Sequence, residues 1–145
     1  MNFLRLVGGM IVVGLVSVPA LAQNTVGELL AGGGKQLTKD EVLAALRGTS
    51  VSGPTPTGGE TLTEWKENGS VSGYLTGPTG TRGSVNGTWR VDDGGNVCRD
   101  IELRFRETRQ IKDCFPVYRM GDQIYFPAAV PADASTGLLK RTIKH

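Results

Sequence analysis

VCRDIELRFRETRQIKDCF, residues 97–115, is the stretch whose reading decides the fold. Val97, Ile101, Leu103 and Phe105 alternate with Asp100, Glu102, Arg104 and Arg106, the period of a strand buried on one face only. Placing Cys98 opposite Cys114 fixes a register for the two ends of the segment. Arg99 then faces Asp113, Asp100 faces Lys112, Ile101 faces Ile111 and Val97 faces Phe115. Two opposite-charge pairs and two apolar pairs follow from one assumption, as a true antiparallel hairpin requires. The same assumption predicts a Cys98–Cys114 disulfide, worth about 3 kcal/mol if it acts by restricting the unfolded chain.

Upstream, Asp92-Asp93-Gly94-Gly95-Asn96 is a turn, and Ser84–Val91 precedes it with Val85, Gly87, Trp89 and Val91 on one face. Pairing across that turn sets Trp89 opposite Arg99. Further back, Thr61–Leu75 predicts a hairpin around Glu67-Asn68-Gly69. A three-residue loop with Gly in the left-handed position joins Lys66 to Ser70 and sets Trp65 against Val71. Downstream, a hairpin turning at Gly121-Asp122 pairs Val117 with Phe126 and Tyr118 with Tyr125. Residues 128–145 are a tail, either one extra strand or disordered.

The segment 38–47 reads as a short helix: Thr38 is the N-cap, Glu41 completes a capping box, and Gly48 supplies a left-handed stop. So short a helix must dock to persist, and Val42, Leu43 and Leu46 are its apolar side. The expected fold is mainly β: a small antiparallel barrel or curled meander of about six to eight strands. The short N-terminal helix is expected to plug one end or cover one face.

Before the helix, residues 23–36 carry Gly32-Gly33-Gly34 and read as a flexible lead. Residues 1–22 read as a signal peptide: Arg5, an apolar run from Leu6 to Val18, and Ala20-Leu21-Ala22 as cleavage site. Cleavage after Ala22 predicts a periplasmic or secreted protein with no remaining membrane span, and an oxidising compartment favours the disulfide. A single β-rich domain, 37–127, is then expected.

The order of Leu37-Thr38-x-x-Glu41-Val42, Leu46-x-Gly48-x-Ser50 and Gly53, Glu64 with Gly69 and Gly73, Gly87-Thr88-Trp89-x-Val91, Cys98, and Cys114-x-x-Val117-Tyr118-x-x-Gly121-Asp122 resembles a family of small exported proteobacterial domains of unknown function. The resemblance covers about residues 37–126. It implies export and a small β-rich fold, and supplies no activity and no catalytic residues. The Thr/Gly-rich insert 76–84 and the Pro-rich tail depart from it.

Composition narrows the chemistry. The chain has 145 residues, 21 of them Gly, and a formal net charge of +2, without the basic clustering of a nucleic-acid binder. The single His is His145, at the terminus, so no imidazole-based nucleophilic site is expected. No metal cluster stands out, because the two Cys are better used on each other. Asp92-Asp93 is explained by turn chemistry rather than acid–base work, and Glu60 and Glu64 form no recognisable pair. No Gly-Lys-Ser/Thr follows the glycines between Gly69 and Gly87, which excludes a phosphate loop. No enzyme activity and no cofactor are predicted.

Arg99 and Arg119 break the pattern, because both fall on the face expected to point inward. Asp113 can pair Arg99, and Trp89 can stack on it. Arg119 has no partner in this register, so it either reaches water at a barrel mouth or holds a ligand's charge. The leading expectation is a non-enzymatic exported β-domain binding a small anionic or amphipathic ligand, or an envelope component, through Trp89, Arg99 and Arg119. The alternative is a periplasmic interaction or inhibitor module acting through an edge strand or through loops 53–60 and 76–84.

Overall fold

A computed structural model describes residues 24–145; the segment 1–22, expected from the sequence to be a signal peptide, lies outside them. Strands make up 52% of the described chain and helices 11%, so the molecule is mainly β. The elements, in order, are α1 (Val26–Ala31), β1 (Lys35–Gln36), α2 (Lys39–Leu46), β2 (Thr49–Pro54), β3 (Glu60–Trp65), β4 (Ser70–Thr76) and β5 (Arg82–Val91). Then follow β6 (Val97–Arg104), β7 (Thr108–Phe115), β8 (Tyr118–Met120), β9 (Gln123–Pro127) and β10 (Leu138–Lys144). The ten strands form one antiparallel sheet in the order β1-β8-β9-β10-β2-β3-β4-β5-β6-β7. It curls into a half-barrel and keeps two edges, β1 and β7.

The hairpin registers read from the sequence are present. Cys98 faces Cys114 and is bonded to it, with Arg99 opposite Asp113 and Ile101 opposite Ile111. Trp89 faces Arg99 across the next turn, Trp65 faces Val71, and Tyr118 faces Tyr125. At the β3–β4 turn Gly69 has φ +84° and its N–H donates to the Lys66 carbonyl, the left-handed position the three-residue loop demands.

Helix α2 also forms where its caps place it. Thr38 and Glu41 make a reciprocal capping box, and Gly48, φ +72°, follows the last turn. Val42 and Leu46 are fully buried. The helix sits on the end of the half-barrel that carries the β3–β4 and β5–β6 turns. Leu37 N–H donates to Val117 O at 2.8 Å, Gly48 N–H to Trp65 O at 2.7 Å, and Lys39 pairs with Asp93 at 2.9 Å. That end is closed. The connections after β2, β4, β6 and β9 all lie at the opposite end.

Two expectations are corrected. Of the expected flexible lead 23–36, the described residues 24–36 hold a helix and a short strand instead. Thr25 and Glu28 form a second capping box, and Val26 and Leu29 pack against Tyr118. The glycines after α1 permit close approach rather than looseness, since a Cβ on Gly34 would lie 2.6 Å from Leu29 Cγ. Among the described residues the strand count is ten, above six to eight, because β1 and β2 carry no sequence pattern that marks them as strands. Strand β10 settles the alternatives for the tail: it pairs with β9 on one side and β2 on the other, joining the C-terminal hairpin to the meander. Among the described residues no helix is long and apolar enough to cross a membrane.

Candidate functional site

The concave side of the sheet lines a half-open cavity of about 770 Å³. The rings of Trp65, Phe115 and Phe126 form its inner end, backed by the core ring of Trp89. Trp65 meets Trp89 edge-on at 5.4 Å between centroids and Phe126 at 6.1 Å, and Phe115 and Phe126 lie 5.0 Å apart. Val51, Leu75, Val85, Ile101, Leu103 and Ile111 form much of the wall. These residues point inward because strand side chains alternate, and each belongs to the apolar half of its strand. Phe105 and Val130 stand at the outer rim, 36% and 41% exposed.

Of the four arginines that line the cavity, Arg106 and Arg109 are exposed at the rim, and Arg99 and Arg141 reach inside, each resting on one of the touching phenyl rings. Arg99 Cζ lies 5.0 Å from the Phe115 centroid, and Arg141 Cζ lies 5.2 Å from that of Phe126. Their environments differ. Arg99 turns its Nε and Nη2 to Asp113, donating to the two carboxylate oxygens at 2.7 and 3.0 Å. Such a fork-to-fork pair satisfies both charges.

Arg141 is 8% exposed and has no carboxylate partner among the described residues. Its Nη1 donates to the Pro54 carbonyl at 2.8 Å, while its buried Nε has no hydrogen-bond partner. Burial first, and the charge of Arg99 second, push its pKa down from 12.5 to about 10. Gly53 makes room for this group: a Cβ there would lie 2.8 Å from Nη1. Among the described residues Asp113 is the only carboxylate within ion-pair distance of either arginine, so Arg99, Arg141 and Asp113 together carry one net positive charge, with Glu60 acting on Arg141 from farther away.

The residues singled out in the sequence are only partly brought together. Arg99 is in the cavity, paired with Asp113 as expected. Trp89 faces it in register but does not carry it: the guanidinium rests on Phe115, and Trp89 Nε1–H donates to the Lys66 carbonyl at 3.1 Å. Trp89 is a core ring outside the cavity lining. Arg119 is elsewhere, on β8, with Nη1 3.8 Å from Glu41 at the start of α2. The strand register could not reveal that partner, because it comes from a helix. Cys98 and Cys114 are joined outside the cavity lining.

Arg141 was missed because a charged residue in a tail reads as solvent-facing. A signal was present: Leu139, Arg141 and Ile143 alternate with Leu138, Lys140, Thr142 and Lys144, so Arg141 occupies the position of an inward residue.

For metal chemistry, Asp92 approaches Cys98 and Cys114, but the disulfide leaves no thiolate there to ligate. Compared with known protein families, with curated proteins and with solved structures, the chain matches none.

Proposed function

We propose that this protein is a non-enzymatic binder of a small amphipathic anion, held in the half-barrel cavity. The observation that carries the proposal is Arg141. A buried guanidinium with an unpartnered Nε is costly in an apolar setting unless an anion completes it. The cavity falls within the volume range of small-molecule sites, and it combines mainly apolar walls with the guanidinium groups of Arg99 and Arg141 inside and with Arg106, Glu107 and Arg109 at the exposed rim. Residue roles change from the sequence expectation: Arg141 replaces Arg119 as the ligand's charge partner, and Phe115 and Phe126 replace Trp89 as its aromatic bed. The disulfide fits an exported protein, and we include a periplasmic or secreted location, with membership of the small exported family, in the proposal.

A fluorescence titration with anilinonaphthalene sulfonate, an apolar anionic dye, tests the reading. Saturable one-site binding to the folded protein, weakened at least tenfold by Arg141→Met, is expected. Emission that never saturates, or is unchanged by the substitution, would contradict it.

One observation favours a second reading. Strand β7 is an open sheet edge with Thr108, Arg109, Gln110, Lys112 and Cys114 exposed, a place where an extended partner segment could add a strand. Exposed Arg and Lys are also the usual means of keeping such an edge unpaired, so the cavity is the stronger site.

A further inference from the structure

The cavity also specifies which amphiphile it takes and which way round. We propose that the ligand is a single-chain carboxylate, inserted head first, with its carboxylate on the Nε edge of Arg141 and its chain running out toward Phe105 and Val130. This rests on the ligand reading above and adds head-group chemistry, charge and orientation to it.

Orientation follows from where the polar and apolar groups lie. The two inner guanidinium groups, Arg99 and Arg141, sit within 5.2 Å of the phenyl rings, whereas the rim carries exposed Phe105 and Val130 beside Arg106, Glu107 and Arg109, whose charges are already open to water. A ligand with its charge at the mouth would leave the Arg141 Nε unpaired and bury its tail among charges. A ligand with its charge inside satisfies both ends.

Head-group chemistry follows from the edge that Arg141 presents. Its Nη1 is taken by Pro54, leaving the Nε side, and the Nε/Nη2 edge is the one Arg99 turns to Asp113 in this same cavity. That edge matches the two coplanar oxygens of a carboxylate. Charge at the inner end follows from Arg99, Arg141 and Asp113. Arg99 is already neutralised by Asp113, so one negative charge balances Arg141, which the more distant Glu60 carboxylate offsets only in part, and a second would be repelled by Asp113 and Glu60.

Four amphiphiles with one chain and different heads give the test: laurate, lauryl sulfate, lauryl alcohol and lauryl trimethylammonium, titrated into the folded, disulfide-bonded protein. Laurate should bind at one site, and the alcohol and the cation at least tenfold more weakly. The sulfate, a tetrahedral monoanion, should be weaker than laurate; equal or tighter sulfate binding overturns the carboxylate assignment. Carboxyl-labelled laurate should titrate below the ordinary carboxylate range when bound to the wild type, and this lowering should vanish in Arg141→Met. Arg141→Lys, which keeps the charge and loses the fork, should bind with intermediate affinity. Nuclear Overhauser contacts from the laurate terminal methyl should reach Phe105 and Val130; contacts to Trp65 and Phe126 instead would overturn the head-first orientation. Saturable dye binding with no discrimination among the four heads, or with none of the four bound, would remove this inference alone. Absence of binding by the dye and all four amphiphiles would remove the ligand reading itself.

Discussion

Arg99 and Arg141 enter the same cavity, yet replacing each by Met should change stability in opposite directions. Methionine keeps much of the apolar stem and removes the charge. At Arg141 the displacement of the pKa from 12.5 to about 10 corresponds to roughly 3 kcal/mol of unfavourable burial together with repulsion by Arg99, at about 1.4 kcal/mol per unit. Against this stands the bond from Nη1 to the Pro54 carbonyl, worth about 1.5–3 kcal/mol for a charged donor. The ligand-free Arg141→Met protein should therefore be as stable as wild type or up to about 1.5 kcal/mol more stable. At Arg99 the substitution strands Asp113. Breaking a fully buried pair costs about 3–5 kcal/mol, and side chains 29% and 20% exposed bring that down to about 2 kcal/mol. Urea unfolding of ligand-free protein reads both values, and on melting each kcal/mol should move Tm by about 4 °C in a chain of this size. A loss of 2 kcal/mol or more at Arg141, matching that at Arg99, would mean that Arg141 has a protein partner in solution and would refute the reasoning.

Three further outcomes are expected. Replacing Cys98 and Cys114 together by Ala should lower stability by about 3 kcal/mol, the chain-entropy value for a bridge of sequence separation 16; equilibrium unfolding with and without reductant checks it, and equal curves would count against the bridge. Leu46→Asp sets a carboxylate into the fully buried contact between α2 and the closed end and should cost at least about 3 kcal/mol, read by thermal melting. Glu41 is held near pKa 2, below its ordinary 4.5, first by the Lys35 ammonium and then by the Thr38 N–H and hydroxyl. A carboxylate lowered in the fold contributes stability that is complete above its ordinary value and lost as pH falls through about 2. Acid unfolding of Glu41→Gln should lack that component, and identical wild-type and variant profiles between pH 5 and pH 2 would count against it.

The meander was legible because cross-strand chemistry is local. Two cysteines, an Arg–Asp pair and an Ile–Ile pair select one register between β6 and β7, and Asn68-Gly69 and Gly121 mark their turns. What escaped depends on partners distant in sequence. Strand β10 lies between β9 and β2, and its neighbour β2 begins almost ninety residues earlier, so nothing nearby announces the pairing. The segment 23–36 has a capping box, Thr25 to Glu28, of the same form as that of α2, but three consecutive glycines obscured it. The site suffered more than the fold. Arg99 could be placed because Asp113 faces it across one hairpin. Arg119 could not, because its partner Glu41 lies on a helix. Arg141 became visible only when β10 entered the sheet and turned Leu139, Arg141 and Ile143 to the inside.

Amide chemical-shift mapping with saturating anilinonaphthalene sulfonate tests the central claim most directly. An anion in the cavity should perturb Arg99, Phe115, Phe126, Leu139 and Arg141 together, with little change on the outward-facing residues of β5, and Arg141→Met should abolish the pattern. Shifts confined to Gln110, Lys112 and Cys114 on the β7 edge, with Phe126 and Arg141 unmoved, would contradict it.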